Sequence, residues 1–382
     1  MEGSDVTASR KLDHIKMVVS SSVESLESDL FEYVRLIHNP LPEMDLDDVD
    51  LSVEFCFTGK RLRYPLMITG MTGGHPDVAW INGELASLAE EYGIAFGVGS
   101  QRAAIEDPRV SNTYSIAREK APNAVIVANI GAPQISRGYG VKEAKRAVEM
   151  VKADALAIHL NPGQEAFQDE GDPYYSSVLE GIKDIADRLD VPVIVKETGT
   201  GIPYEVVKEL RAIGVKCIDV SGLGGTNWIK VEVLRSKTKY GEARKPAGPL
   251  SDYWGNPTAI SIIEARLAAP DSFIIGSGGV RNGLEAVKAI ALGADIAGIA
   301  LPVLRALLNG GKASAKRLIE GIIYQVKAAA FMTSSKRLYD LWKAPLVIHG
   351  RLLDELSVRS LNPHTYIYRV RTEALMWRMR NE

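Results

Sequence analysis

Cysteine is almost missing from this chain of 382 residues: only Cys56 and Cys217 occur. Two thiols in unrelated contexts argue against a disulfide framework, a cysteine zinc site or an iron–sulfur cluster, and they point to a reducing cytoplasm. Excess charge is missing too. A formal net charge of −3, with acids and bases interspersed, lacks the basic stripe that nucleic-acid binding requires. Long apolar runs are absent: no window reaches the roughly 18 uninterrupted residues of a membrane span. The opening MEGSDVTASRKLDHIKMVV has no apolar core of signal-peptide length. The expected protein neither spans a membrane nor is exported.

Against these absences stands a regular rhythm. Short apolar or β-branched runs occur at Leu66–Thr69, Ile94–Val98, Val125–Asn129, Ala155–Leu160, Val193–Lys196, Cys217–Val220, Phe273–Gly276 and Asp295–Ile299. Each of the first seven precedes a helix-period segment, such as Val141–Lys152 or Gly283–Leu292. Strands buried on both faces and alternating with helices predict a parallel sheet, and eight of them favour closure into a (β/α)8 barrel. A doubly wound open sheet competes, but polar residues follow nearly every strand rather than gathering at one switch point. No linker divides the chain, so we expect an N-terminal extension over 1–60 that contributes to the substrate mouth, a barrel over 61–330 and a helical tail over 331–382. The tail is basic toward its end and suits a helix closing the barrel floor or a subunit contact. The long interval 226–256 reads as a lid or binding segment.

The stretch FIIGSGGVRNGLEAVKAIALGADIAGIAL, 273–301, is strand, glycine turn, helix and second strand. Its glycines let backbone N–H groups approach an anion, as the phosphate site after strands seven and eight of such barrels requires; the other reading is a tight turn. Lys196 would stabilise negative charge on a flat heterocycle such as the flavin of flavin mononucleotide, or else form a rim salt bridge with Glu197 or a neighbour. Arg102 offers a planar fork to phosphate oxygens, or else pairs with Glu106 or Asp107. In HLNPGQE, 159–165, Glu165 suits Mg²⁺, which takes one or two carboxylates plus substrate phosphates, or else begins the next helix. Zinc is disfavoured because no second His or Cys stands at ligand spacing.

Taken together, Arg10-Lys11 with His14, MTGG at 71–74, GVGSQR at 97–102, ANIGAPQ at 128–134, HLNPGQE at 159–165, VKETGTGI at 195–202, SGLGGTNW at 221–228 and GSGGVRNG at 276–283 resemble the flavin-dependent type 2 isopentenyl diphosphate isomerases in their archaeal form. The resemblance implies a cytoplasmic (β/α)8 barrel that uses reduced FMN and Mg²⁺, with NADPH as reductant, to interconvert isopentenyl and dimethylallyl diphosphate, assembled as a homotetramer or homo-octamer. By position it implies flavin contacts at Thr69, Gly70, Met71, Ser100, Asn129, Lys196, Ser221, Thr226, Gly279, Val280, Arg281, Ala300 and Leu301. Implied substrate contacts are Arg10, Lys11, Ser100, Gln101, Arg102 and Gln164, with His159, Asn161 and Gln164 in catalysis and Glu165 on the metal. Trp228 and Glu232 would line the hydrocarbon side. A 2-hydroxy-acid oxidase on a related barrel is the competing enzyme class. It needs a histidine base and a carboxylate-holding arginine after strand six, where this chain reads SGLGGTNW. A non-catalytic phosphate-ligand binder on the same scaffold is a third reading.

Overall fold

The computed structural model describes residues 14–15, 17–19, 22–235, 248–359, 361–367 and 371–381. Three short strands come first: β1 (Val34–Leu36), β2 (Val53–Glu54) and β3 (Arg61–Leu62). Then follow β4 (Leu66–Ile68), β5 (Ala95–Gly97), β6 (Ile126–Gly131), β7 (Ala155–His159), β8 (Val193–Lys196), β9 (Cys217–Asp219), β10 (Phe273–Ser277), β11 (Ile296–Ile299) and β12 (Leu346–Ile348). Strands β4 to β11 form a closed parallel barrel in chain order, with β11 returning to β4 through the register Gly298↔Met67. These are the eight strands the apolar runs predict. Every residue of β4, β5, β6, β9, β10 and β11 is buried, while the last residues of β7 and β8, His159 and Lys196, are partly exposed. Burial on both faces explains why the strands read as continuous apolar runs rather than alternating ones.

The outer helices follow from an apolar stripe at helical spacing. Val141–Val151 buries Ala144, Ala147 and Val151 and turns Lys142, Lys145 and Glu149 outward. After β11 the chain forms Leu301–Met332, with non-helical backbone at Gly310 and Gly311. Those two glycines divide it into two helical parts.

The two ends of the chain close opposite ends of the barrel. Residues 22–29 lie at the mouth, where Glu24 bridges Thr226 and Ser25 N–H donates to Gly225 C=O at 3.0 Å. The hairpin β2–β3 lies at the floor, where Phe55 meets Phe273, the first residue of β10, edge-on at 5.4 Å between ring centroids. The tail covers the same floor. Asp295, wholly buried ahead of β11, accepts hydrogen bonds from Arg266 Nη2 at 2.7 Å, Ile274 N–H at 2.7 Å and Tyr339 OH at 2.9 Å, and pairs with Arg378 Nη2 at 2.8 Å. The basic end of the tail is therefore partly a counter-charge delivered to a buried carboxylate. β12 pairs antiparallel with β1, tying the tail back to the N-terminal extension.

One expectation fails at this floor. The sequence argues against a disulfide, yet Cys56 and Cys217 are disulfide-bonded, with Cα atoms 6.0 Å apart across 161 residues of sequence. Separation in sequence hid the pair; the hairpin folding under the first residue of β9 brings it together. With both thiols consumed, cysteine usage no longer argues for a reducing compartment. Among the described residues no helix is long and apolar enough to cross a membrane.

Candidate active site

The C-terminal ends of the barrel strands open into one cup. All of the implied flavin contacts line it: Thr69, Gly70, Met71, Ser100, Asn129, Lys196, Ser221, Thr226, Gly279, Val280, Arg281, Ala300 and Leu301. His159, Asn161, Gln164, Glu165, Arg102 and Trp228 line it as well, with His14, Ile15 and Val18 from the N-terminal segment. Gln101 does not. Its wholly buried side chain turns outward from the barrel, donating to Ala147 C=O at 2.9 Å and accepting from Asn129 N–H at 2.8 Å, so it braces β6. Arg10 and Lys11 lie outside the described residues.

The turn after β10 fits a phosphate. Gly278 and Gly279 take positive φ (103° and 78°), which L side chains rarely adopt. A Cβ at Gly225 would come within 2.4 Å of the Gly279 nitrogen, so glycine there keeps that N–H open to the cup. Arg281 differs from a simple phosphate arginine. Its guanidinium donates to Glu24 Oε1 at 2.9 Å and Asp29 Oδ2 at 3.2 Å, and its own backbone N–H is taken by Glu285 Oε2 at 2.6 Å. Burial pushes the Asp29 carboxyl up to about 6, partly offset by the Phe31 N–H and by Arg281. Glu24 and Asp29 carry no motif, and sequence reasoning missed them; only the fold of the N-terminal segment places them here.

Lys196 ends β8 with its ammonium on Glu197 C=O at 2.5 Å, a carbonyl contact and not a salt bridge with the Glu197 carboxylate. Beside it on β9, Asp219 is wholly buried; burial pushes its carboxyl up, while Lys196 and the Ser277 hydroxyl pull it down. The residues of this wall match the requirements of a flavin: small residues around a flat slot, a cation at one edge and open amides at the phosphate end.

The opposite wall is a polar chain. Asn129 Nδ2 donates to Val98 C=O at 3.1 Å, which leaves Oδ1 to accept from His159 Nδ1–H at 2.7 Å and sets that imidazole's tautomer. Asn161 Nδ2 donates to Glu165 Oε1 at 2.8 Å and to Gln164 Oε1 at 3.2 Å. Tyr175 OH donates to Asn161 Oδ1 at 2.9 Å. Gln164 is held at its other end, where Nε2 donates to Glu232 Oε1 at 2.9 Å. Glu232 itself is buried behind the wall and does not line the cup, in contrast to the expectation that it faces the hydrocarbon; Trp228 does line it. Glu165 lies in the first turn of the short helix Pro162–Phe167, buried, with both oxygens engaged. Among the described residues no group of three or more His, Cys, Asp or Glu could hold a metal by itself.

Burial pushes the Glu232 carboxyl up, but His14 at 2.9 Å, Arg235 at 2.8 Å and Gln164 outweigh it and hold it at about 2. A carboxyl depressed on folding stabilises the fold above its unfolded value, 4.5, and loses that contribution as pH falls toward 2. Thermal unfolding followed from pH 5 to 2 is expected to show a loss of about 3 kcal/mol from this group. Glu232→Gln should flatten that part of the curve.

Residues 144–347, from the helix before β7 onward, match the FMN-dependent dehydrogenase family. Solved structures of flavin oxidases share the fold: a mandelate oxidase variant with a monooxide FMN adduct superposes with a TM-score of 0.61 at 15% identity, covering 91% of this chain and 99% of that one. A lactate oxidase of Pediococcus acidilactici gives 0.62 at 19% identity, covering 91% and 94%. These place the chain among flavin-binding (β/α)8 barrels. Within that class, the isopentenyl-diphosphate delta-isomerase of Aeropyrum pernix is 60% identical over 372 residues, 97% of this chain and 98% of the relative. That of Metallosphaera sedula is 48% identical over 358 residues, 94% of this chain and 97% of the relative. The chain belongs to the isopentenyl-diphosphate delta-isomerases, in their flavin-dependent type.

Proposed function

We propose that this protein interconverts isopentenyl and dimethylallyl diphosphate by a 1,3-allylic proton shift in the cup, with Mg²⁺ holding the diphosphate and NADPH supplying the electrons that keep FMN reduced. The observation that carries the reading is the convergence of Ser100, Asn129, Lys196 and Gly279, from four different strand ends, on one cavity. Bound there in reduced form, FMN would supply acid–base chemistry to an unactivated alkene and negative charge beside any developing cation.

The chain's own residues do the rest. Lys196 would face the flavin edge where reduction places negative charge. The Gly279 and Val280 amides would receive its phosphate. Arg102, Ser100 and His159 would meet the diphosphate, joined by Arg10 and Lys11. Glu165 would give Mg²⁺ one carboxylate ligand while substrate oxygens and water complete the shell. Gln164, fixed at both ends of its amide by Asn161 and Glu232, would hold the prenyl group in register, a positional restraint. Trp228, Ile15 and Val18 give the mouth an apolar side that excludes water from the alkene.

Assay of the purified protein with FMN, a reductant and Mg²⁺ tests this: isopentenyl diphosphate should be converted only when the flavin is reduced. Conversion that proceeds unchanged without flavin would reject it, as would stoichiometric flavin reduction by lactate or glycolate. Lys196→Ala is expected to weaken FMN binding about 10- to 100-fold, the loss of one hydrogen bond from a charged donor. Fluorescence titration of the flavin measures it.

A further inference from the structure

Two cup residues with different tasks lean on a third that does not line the cup. Arg102 Nη1 donates to Asp172 Oδ2 at 3.0 Å, while its Nε is held by Glu106 Oε1 at 2.8 Å. Glu165 Oε2 accepts the backbone N–H of the same Asp172 at 2.6 Å. The second Asp172 oxygen is 2.6 Å from Arg137 Nη2, and the Arg137 guanidinium stacks over the Tyr174 ring at 4.6 Å. Asp172 stands in the segment 168–175 between the short helix of Glu165 and the helix Val178–Arg188. That segment passes so close to the Glu165 turn that a Cβ at Gly171 would lie 2.0 Å from the Glu165 carbonyl oxygen. The side chain of Asp172 is only 14% exposed.

Resting on the proposed function above, we infer that Asp172 is a positioning residue that locks the arginine half and the metal half of the diphosphate site into one geometry, with Arg137 as the outer anchor of the lock. The carboxylate holds the guanidinium of Arg102 through Nη1 and would leave its Nη2 hydrogens for the diphosphate. Because that carboxylate is pinned by two arginines, the backbone N–H of the same residue stays aimed at Glu165. Carboxylates that bind a metal need such an orienting donor, and losing one weakens the metal about 10- to 100-fold. A different role is physically possible and has the opposite sign. Were Asp172 only a negative charge near an anion site, removing it would strengthen diphosphate binding through simple Coulomb attraction.

The signs decide between these two roles. Inorganic diphosphate is titrated by calorimetry into the FMN-loaded protein at fixed Mg²⁺, and KM, kcat and the Mg²⁺ concentration for half-activity are measured alongside. For Asp172→Ala the lock predicts diphosphate binding weakened about tenfold and a Mg²⁺ requirement raised about tenfold. It also predicts kcat within about twofold at saturation, unchanged flavin content, and recovery of most of the loss in Asp172→Glu. Should Asp172→Ala fail to fold, Asp172→Asn is read in the same way, with a smaller loss in the same direction. Diphosphate binding that is unchanged or tighter overturns the inference, as does a loss confined to kcat. A parent protein that binds flavin but no diphosphate overturns both this inference and the isomerase reading.

Discussion

Glu165→Gln is expected to cut turnover at limiting Mg²⁺ by on the order of 10²–10³-fold while the protein stays yellow with bound flavin. The amide keeps the shape but can accept only one of the two hydrogen bonds that the carboxylate receives, from Asn161 Nδ2 or from the Asp172 N–H, because its nitrogen is a donor. What it loses is the negative charge that draws a hard cation, and a bound metal contributes several kcal/mol of charge stabilisation. The loss should shrink as Mg²⁺ is raised, since mass action restores occupancy of a weakened site. Initial rates across a Mg²⁺ series, with flavin absorbance recorded on the same samples, measure both effects. Full activity of the variant at limiting Mg²⁺ would remove the metal from Glu165.

The second large effect concerns stability. Replacing Cys56 and Cys217 with alanine opens a covalent loop across 161 residues of sequence, for which chain entropy alone gives about 5 kcal/mol. The floor has other fastenings, among them Phe55 on Phe273 and the four-donor Asp295 cluster, so the fold should persist with a lowered unfolding midpoint. Because the bond lies at the barrel floor and the cup opens at the other end, KM and flavin binding are expected to be unchanged at moderate temperature. Denaturant unfolding of the parent and the double variant, each assayed for activity before unfolding, reads the two quantities separately. Equal midpoints would mean the bond adds nothing to stability.

Much of this molecule was legible because its signals are local. A strand buried on both faces is an apolar run, and a turn that receives an anion needs glycine, so the eight barrel strands and the Gly278-Gly279 cradle could be read directly. The candidate cup was legible for the same reason: the rim residues follow the strands at once in sequence. What escaped depends on chain returning from far away. Cys56 meets Cys217, Glu24 and Asp29 meet Arg281, and Arg378 meets Asp295, each pair far apart in sequence. Gln101 misled for a different reason. Its neighbours Ser100 and Arg102 both line the cup, but Gln101 stands at the N-cap of the helix Arg102–Glu106, and its side chain goes to the outer layer, where Ala147 receives it. Arg102 lines the cup and also pairs with Glu106, as its alternative reading has it.

The most direct measurement is proton NMR of isopentenyl diphosphate incubated in D₂O with the protein, Mg²⁺ and FMN reduced by NADPH or dithionite. Dimethylallyl diphosphate should appear carrying solvent deuterium, and the signal should vanish when the flavin is left oxidised. Reduced flavin bound in the cup with neither conversion nor deuterium exchange would contradict the account.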